Sequence, residues 1–251
     1  MLLKDPSFRR TLRWFVASAL VAFVLTQTDL QAFAKVASIS APKLGLWGAL
    51  NVLVLVLFAA RWQIILNGLG AVVPILRLTL HRLAGFGVSF LTPGPQFGGE
   101  PLQVLLLTRR EAVPSGAALG SVALEKALDL FASFVFLTAG VVCLSQQGIT
   151  DVGRQPWLGA APVFPLLLIV GYLMAVGTGR RPLTSMLGRV RRQRLAGIRS
   201  AIASAERRTA TLFREQPSVV GKAVAVSAGC WLVQIGEFWW LLHLVGAEAT
   251  L

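Results

Sequence analysis

Ser89-Phe90-Leu91-Thr92-Pro93-Gly94-Pro95-Gln96-Phe97-Gly98-Gly99-Glu100-Pro101 breaks an otherwise apolar stretch of the chain. Pro93 and Pro95 each lack an N–H and clash with the preceding turn, so no continuous helix passes through them. Gly94, Gly98 and Gly99 open backbone angles closed to other residues, and Pro101 suits the first turn of a following helix. The flanking segments are apolar in pieces, so one place for this break is at membrane depth. There, non-helical backbone is tolerated only where protein or a water-filled cavity satisfies its polar groups. Two readings are open: a re-entrant pair of half-helices lining a cavity, as transporters use for charged substrates, or a tight cytoplasmic loop between two short helices.

The rest of the chain supplies the membrane. Of 251 residues, 55% are hydrophobic and 14% charged, where a soluble domain carries roughly a quarter charged. The mean hydropathy is +0.69. Apolar runs near residues 14–30, 44–60, 117–144, 157–176 and 219–244 approach the ~20 residues needed to cross the hydrocarbon core. The expected fold is all-α: a polytopic transmembrane helical bundle, one transmembrane domain over residues 1–251. The first run, behind Arg9, Arg10 and Arg13 and before Ala32-Phe33-Ala34, also has the outline of a signal peptide. The spans that follow favour a retained signal anchor. Cys143 and Cys230 lie inside apolar runs, which suits packing and implies no disulfide framework.

Direction follows from Lys and Arg in short loops. Lys4, Arg9, Arg10 and Arg13, then Arg61, Arg77, Arg82, Arg109 and Arg110, then the arginine-rich loop 177–217 all fall on one side if residues 63–110 enter and leave by the same face. That side is expected to be the cytoplasm, with the N-terminus in it. The net charge of +13 is then an adaptation to anionic lipid, and no nucleic-acid site is expected. Within the loop, Leu195, Ile198, Ile202, Ala205 and Leu212 recur at helical spacing. One reading is a basic amphipathic helix on the inner leaflet, with Arg191, Arg192, Arg194, Arg199, Arg207 and Arg208 at the membrane surface. The other is a solvated charged connector.

Charges inside the spans mark the candidate path. Glu125 and Asp129 are four residues apart and share a helix face, with Lys126 displaced around it. Each costs about 3 kcal/mol at a helix centre unless it meets a partner or a cavity. Arg61, Arg82 and Arg109 are the expected partners. Glu237, flanked by tryptophans, is a more isolated acid. These charges either pin helices together or line a substrate path comprising Arg61, Pro93, Gly94, Gly98, Gly99, Glu100, Glu125, Lys126, Asp129 and Glu237. His81 and His243 are far apart, and neither a nucleotide loop, a paired cysteine motif nor a nucleophile elbow is present. No catalytic residue, metal or cofactor is expected.

Arg61-Trp62-Gln63-Ile64-Ile65-Leu66-Asn67-Gly68-Leu69-Gly70, the Pro93-to-Pro101 break and Glu125-Lys126-x-x-Asp129 occur in that order. Together they resemble the lysylphosphatidylglycerol synthase transmembrane-region family, whose members are often labelled flippase-like. The resemblance covers most of the chain. It implies a multi-pass protein of the bacterial cytoplasmic (inner) membrane that moves a phospholipid, anionic or aminoacylated, or a lipid-linked envelope precursor between leaflets. A non-transporting scaffold for an envelope-lipid enzyme is the alternative. Without an aminoacyl-transfer domain in this chain, synthase activity is not carried over. Relatives usually continue past Leu251 through a second Pro/Gly-broken segment, so a chain lacking that C-terminal part is expected.

Overall fold

A computed structural model describes residues 40–91, 98–148, 156–188 and 196–244. Among them every element is helical: α1 (Ala41–Gly68), α2 (Ile75–Leu91), α3 (Glu100–Arg110), α4 (Ser115–Gln146), α5 (Pro156–Gly177), α6 (Pro182–Gly188), α7 (Ala196–Glu215) and α8 (Pro217–Leu244). Four are long and apolar enough to cross a membrane: α1, α4, the Gly159–Gly177 part of α5, and α8. They coincide with the second to fifth expected spans; the first, residues 14–30, lies outside the described residues. Val52, Leu137, Leu168 and Leu232 on these helices are more than half exposed. Such surfaces are stable against lipid chains and costly against water.

The chain forms two compact units, Met1–Leu50 with Gly236–Leu251, and Asn51–Ile235. In the smaller unit, His243 stacks on Trp239 with ring centroids 5.9 Å apart. In the larger unit, Trp62, Ile65, Leu66, Leu78, Leu107 and Leu212 anchor the core.

One end of the larger unit gathers the C-termini of α1 and α5 and the N-termini of α4 and α8 around α7. Gly70, at φ +81°, closes α1 in a Schellman turn. Its N–H donates to Asn67 O and the Ala71 N–H to Leu66 O, both at 3.0 Å. Gly179 closes α5 the same way. Arg208 then donates to Leu69 O at 3.4 Å, and Arg214 to Gly177 O at 3.2 Å and to Thr178 O. Cations at helix C-termini complement the helix dipole.

The apolar stripe expected on α7 is partly turned against protein instead of outward. Ala205, Thr209 and Leu212 are buried, and α7 lies against the start of α4, where Gly116 and Gly120 let the backbones approach. A Cβ on Gly116 would come 2.2 Å from Ser204 Oγ. Leu195 lies outside the described residues, and Ile198 remains exposed. Buried Glu206 accepts hydrogen bonds from Leu183 N, Thr184 N and Thr184 Oγ1 and so anchors α6 on α7.

Helices α2 and α3 form an antiparallel hairpin. Arg77 near the start of α2 donates to Glu111 just past the end of α3 at 2.9 Å, and His81 Nε2 lies 3.1 Å from the same carboxylate. At the other end, Gly85 faces Gly99 and Gln103. By helical rise α2 and α3 are roughly 26 and 17 Å long, both shorter than the ~30 Å hydrocarbon core. The chain therefore returns to the end from which α2 set out. Pro93 and Gly94 lie outside the described residues.

Candidate functional site

Four ionisable side chains from three helices converge inside the larger unit. Arg61 of α1 is fully buried, and its α-helical neighbours Trp62 and Ile65 are core residues. Its Nη1 donates to Ser227 Oγ of α8 at 3.0 Å, and its Nη2 to Glu125 of α4 and, at 3.3 Å, to Asp129. Arg82 of α2, also buried, donates from Nη1 to the same Glu125 oxygen at 2.5 Å. The four-residue spacing of Glu125 and Asp129 puts both acids on the α4 face that meets Arg61. Phe58, one turn before Arg61, completes the nest: the Arg61 and Arg82 guanidinium carbons lie 4.9 and 4.4 Å from its ring centroid. Phe86, one turn after Arg82, offers a second ring at 5.2 Å. Arginine suits this setting because its planar cation can stack and donate at once.

The cluster lies deep. Arg61 is roughly 10 Å before the end of α1, and Glu125 roughly 15 Å into α4, by helical rise. Two cations and two anions balance, which a low-dielectric interior requires. Breaking such a buried pair costs about 3–5 kcal/mol because the survivor is left uncompensated.

A second pair differs in kind. Lys126 Nζ lies 3.0 Å from Glu100 Oε1, with side chains 28% and 23% exposed. A pair this accessible to its surroundings contributes about 0–1 kcal/mol. Glu100 Oε2 is buried without a hydrogen-bond partner among the described residues, so half of this carboxylate is unsatisfied.

These pairs border two cavities. The smaller, about 170 Å³, is lined by Phe58, Arg82, Ser89, Gln103, Glu125, Asp129 and Gln234, among others, and by Glu100 and Lys126. It could hold roughly five waters at liquid density. The larger, about 910 Å³, lies among α3, α4, α5, α6 and α7, and apart from Glu100, Lys126 and Tyr172 its lining is apolar. Its rim residues Leu168 and Ile198 are 59% and 55% exposed. Volumes of 300–1,000 Å³ are usual for ligand sites. Glu100 and Lys126 line both cavities and stand between them.

The structure brings together Arg61, Gly99, Glu100, Glu125, Lys126 and Asp129 of the expected path. Gly99 lines the small cavity and Gly98 is half-buried beside it. Of the expected partners for the acids, Arg61 and Arg82 take the role, whereas Arg109 is exposed at the end of α3. Glu237 belongs to the smaller unit and lines neither cavity. Among the surface arginines, Arg207 and Arg208 are exposed and Arg199 half-exposed; Arg191, Arg192 and Arg194 lie outside the described residues. Phe58, Phe86, Gln103, Ser227 and Gln234 carried no signal in the sequence, since apolar and uncharged polar side chains are ordinary in such helices. Arg82 did carry one, as a charge inside an apolar stretch.

Outside the spans, the Glu111 carboxyl sits clearly below the usual carboxylate range. Burial works against its charge, and the hydrogen bonds from Arg77 and His81 outweigh that burial.

Comparison with known proteins agrees with this architecture. The chain is 29% identical over 128 residues to a UPF0104 membrane protein of Methanocaldococcus jannaschii, covering 50% of this chain and 37% of that one. It is 26% identical over 219 residues to a UPF0104 membrane protein of Methanothermobacter thermautotrophicus, covering 80% of this chain and 62% of that one. The matched part is thus less than two thirds of either relative. No solved structure matches. Residues 11–251 match the family described as "Lysylphosphatidylglycerol synthase TM region". The chain is a multi-pass membrane protein and belongs to that family.

Proposed function

We propose that this protein binds a membrane lipid and moves it between leaflets. One observation carries the reading: a small charged cavity and a large apolar groove meet at Glu100 and Lys126. A lipid needs both environments at once, a polar one for its headgroup and an apolar one for its chains. The groove, open at Leu168 and Ile198, takes the chains from the bilayer. Lys126 and Arg82 meet a phosphate, and Asp129, the most exposed acid of the cluster at 28%, meets any ammonium on the headgroup. The hairpin of α2 and α3 is the re-entrant element whose short helices keep polar side chains at membrane depth. The end rich in arginine, with Arg77, Arg207 and Arg214, faces the cytoplasm and its anionic lipid. Phospholipid or a lipid-linked envelope precursor is the substrate class, and the site works by binding rather than by catalysis.

The test is leaflet exchange of fluorescent anionic and aminoacylated phospholipids in proteoliposomes. Lys126→Gln and Asp129→Asn should each slow exchange about tenfold, and Lys222→Gln, exposed and remote in sequence from the cavities, should not. Ten-fold corresponds to about 1.4 kcal/mol in a rate-limiting step. A folded chain that supports no exchange would favour the scaffold reading, in which the exposed arginines of α7 recruit an envelope-lipid enzyme.

A further inference from the structure

We propose that the Glu100–Lys126 ion pair is a displaceable gate between the two cavities, opened when an anionic phosphate replaces Glu100 on Lys126. The inference rests on the lipid reading above and names the group that lets a headgroup pass from groove to charged cavity. Both side chains line both cavities, so a headgroup moving between the spaces meets this pair.

The contrast with the neighbouring pairs shows which contact can open. Arg61–Glu125 and Arg82–Glu125 join side chains no more than 7% exposed. Opening either leaves a buried charge without its partner. Glu100–Lys126, at 3.0 Å, is several times more exposed. Glu100 also keeps one carboxylate oxygen buried without a hydrogen-bond partner among the described residues. The pair is therefore less costly to separate than either of the Glu125 pairs. Lys126 is suited to the exchange, since an ammonium is a rotatable point charge with three donors and binds phosphate readily.

The backbone does not share in the opening. Gly99, immediately before Glu100, is packed so closely that a Cβ would meet Gly85 O at 2.3 Å. The proposed gate therefore works through rotamer changes of the Glu100 and Lys126 side chains alone. The opener is specified by charge: a phosphate replaces the carboxylate as the anion beside Lys126, whereas an uncharged lipid offers nothing to compensate the ammonium.

Photolabelling tests this without requiring transport. The full chain in nanodiscs is exposed to phosphatidylglycerol carrying a diazirine either on an acyl chain or on the headgroup, and the labelled peptides are mapped. In the wild type the acyl probe should label groove residues such as Leu130 and Leu168, and the headgroup probe should label Gln103 or Gln234. Glu100→Gln should raise headgroup labelling at least threefold and Lys126→Gln should lower it at least threefold, with acyl labelling intact as the sign of a folded groove. The exchanged pair, Glu100→Lys with Lys126→Glu, should return it toward the wild-type level. A diacylglycerol probe, lacking phosphate, should stay in the groove. Unlabelled phosphatidylglycerol should compete for the cavity, whereas excess inorganic phosphate should not.

Headgroup labelling that is the same in wild type and Glu100→Gln, with the groove labelled in both, overturns the gate and leaves the lipid reading standing. So does diacylglycerol labelling of the wild-type cavity, a failure of the exchanged pair to restore it, or full competition by inorganic phosphate. Absence of groove labelling in the wild type overturns the lipid reading and the gate with it.

Discussion

Gly99 lies against the backbone of Gly85, close enough that a Cβ on Gly99 would sit 2.3 Å from the Gly85 carbonyl oxygen. This contact holds the start of α3 on α2 and thereby places Glu100 beside α4. Replacing Gly99 with Ala must splay the hairpin, because the opposing atoms are backbone and cannot rotate away. Overpacking of this kind costs about 1–3 kcal/mol. Gly87, on the same helix as Gly85, has open space around it, so Gly87→Ala should be neutral or stabilising by up to about 1 kcal/mol. Thermal unfolding of both variants in detergent checks the pair. Equal midpoints would show that the close approach is not what holds the hairpin.

Glu125 answers two buried guanidinium groups at once. Glu125→Gln should lower stability by about 3–5 kcal/mol, since Arg61 and Arg82 would then share only Asp129. Adding Arg82→Met should recover part of that loss by removing one of the unpaired cations. Unfolding midpoints of the single and double variants decide it: a double variant less stable than Glu125→Gln alone would mean that Arg82 acts chiefly through Phe58 and Phe86.

Glu111 makes stability depend on pH. Its carboxyl is held below the ordinary range in the folded protein by Arg77 and His81, against the pull of burial. A group depressed on folding stabilises fully above its unfolded value, and that contribution disappears as pH falls through the folded one. The acid limb of the unfolding midpoint against pH should therefore be flatter in Glu111→Gln than in the wild type. Superimposable acid limbs would remove Glu111 from the account.

Glu206 anchors the short helix α6 through two backbone N–H groups and the Thr184 hydroxyl. In Glu206→Ala the amides of Leu183 and Thr184 lose their acceptor. Hydrogen exchange across Pro182–Gly188 should speed up about tenfold or more, while the α4 interior is unchanged. Unaltered exchange at Leu183 and Thr184 would show that packing alone holds α6.

The membrane class and four of the spans were legible in the amino-acid sequence. These depend on local chemistry: a run of about 20 apolar residues needs no partner to prefer lipid. The suspicion attached to Glu125, Asp129 and Arg61 was legible for a related reason, because the cost of a charge in a span is local. The choice of partner was not. Arg61, Arg82 and Arg109 were equivalent as cations, and only the packing of α2 and α3 on α4 put Arg82 inside and left Arg109 outside. Likewise the spacing of Ala205 and Leu212 defined a stripe on α7 without saying what covers it; Gly116 and Gly120 of α4 decided that by letting the backbones approach. The meeting of charged cavity and apolar groove at Glu100 and Lys126 arises from helices distant in sequence. Periodicity reports which face of a helix is apolar, and only the assembled helices determine which faces meet.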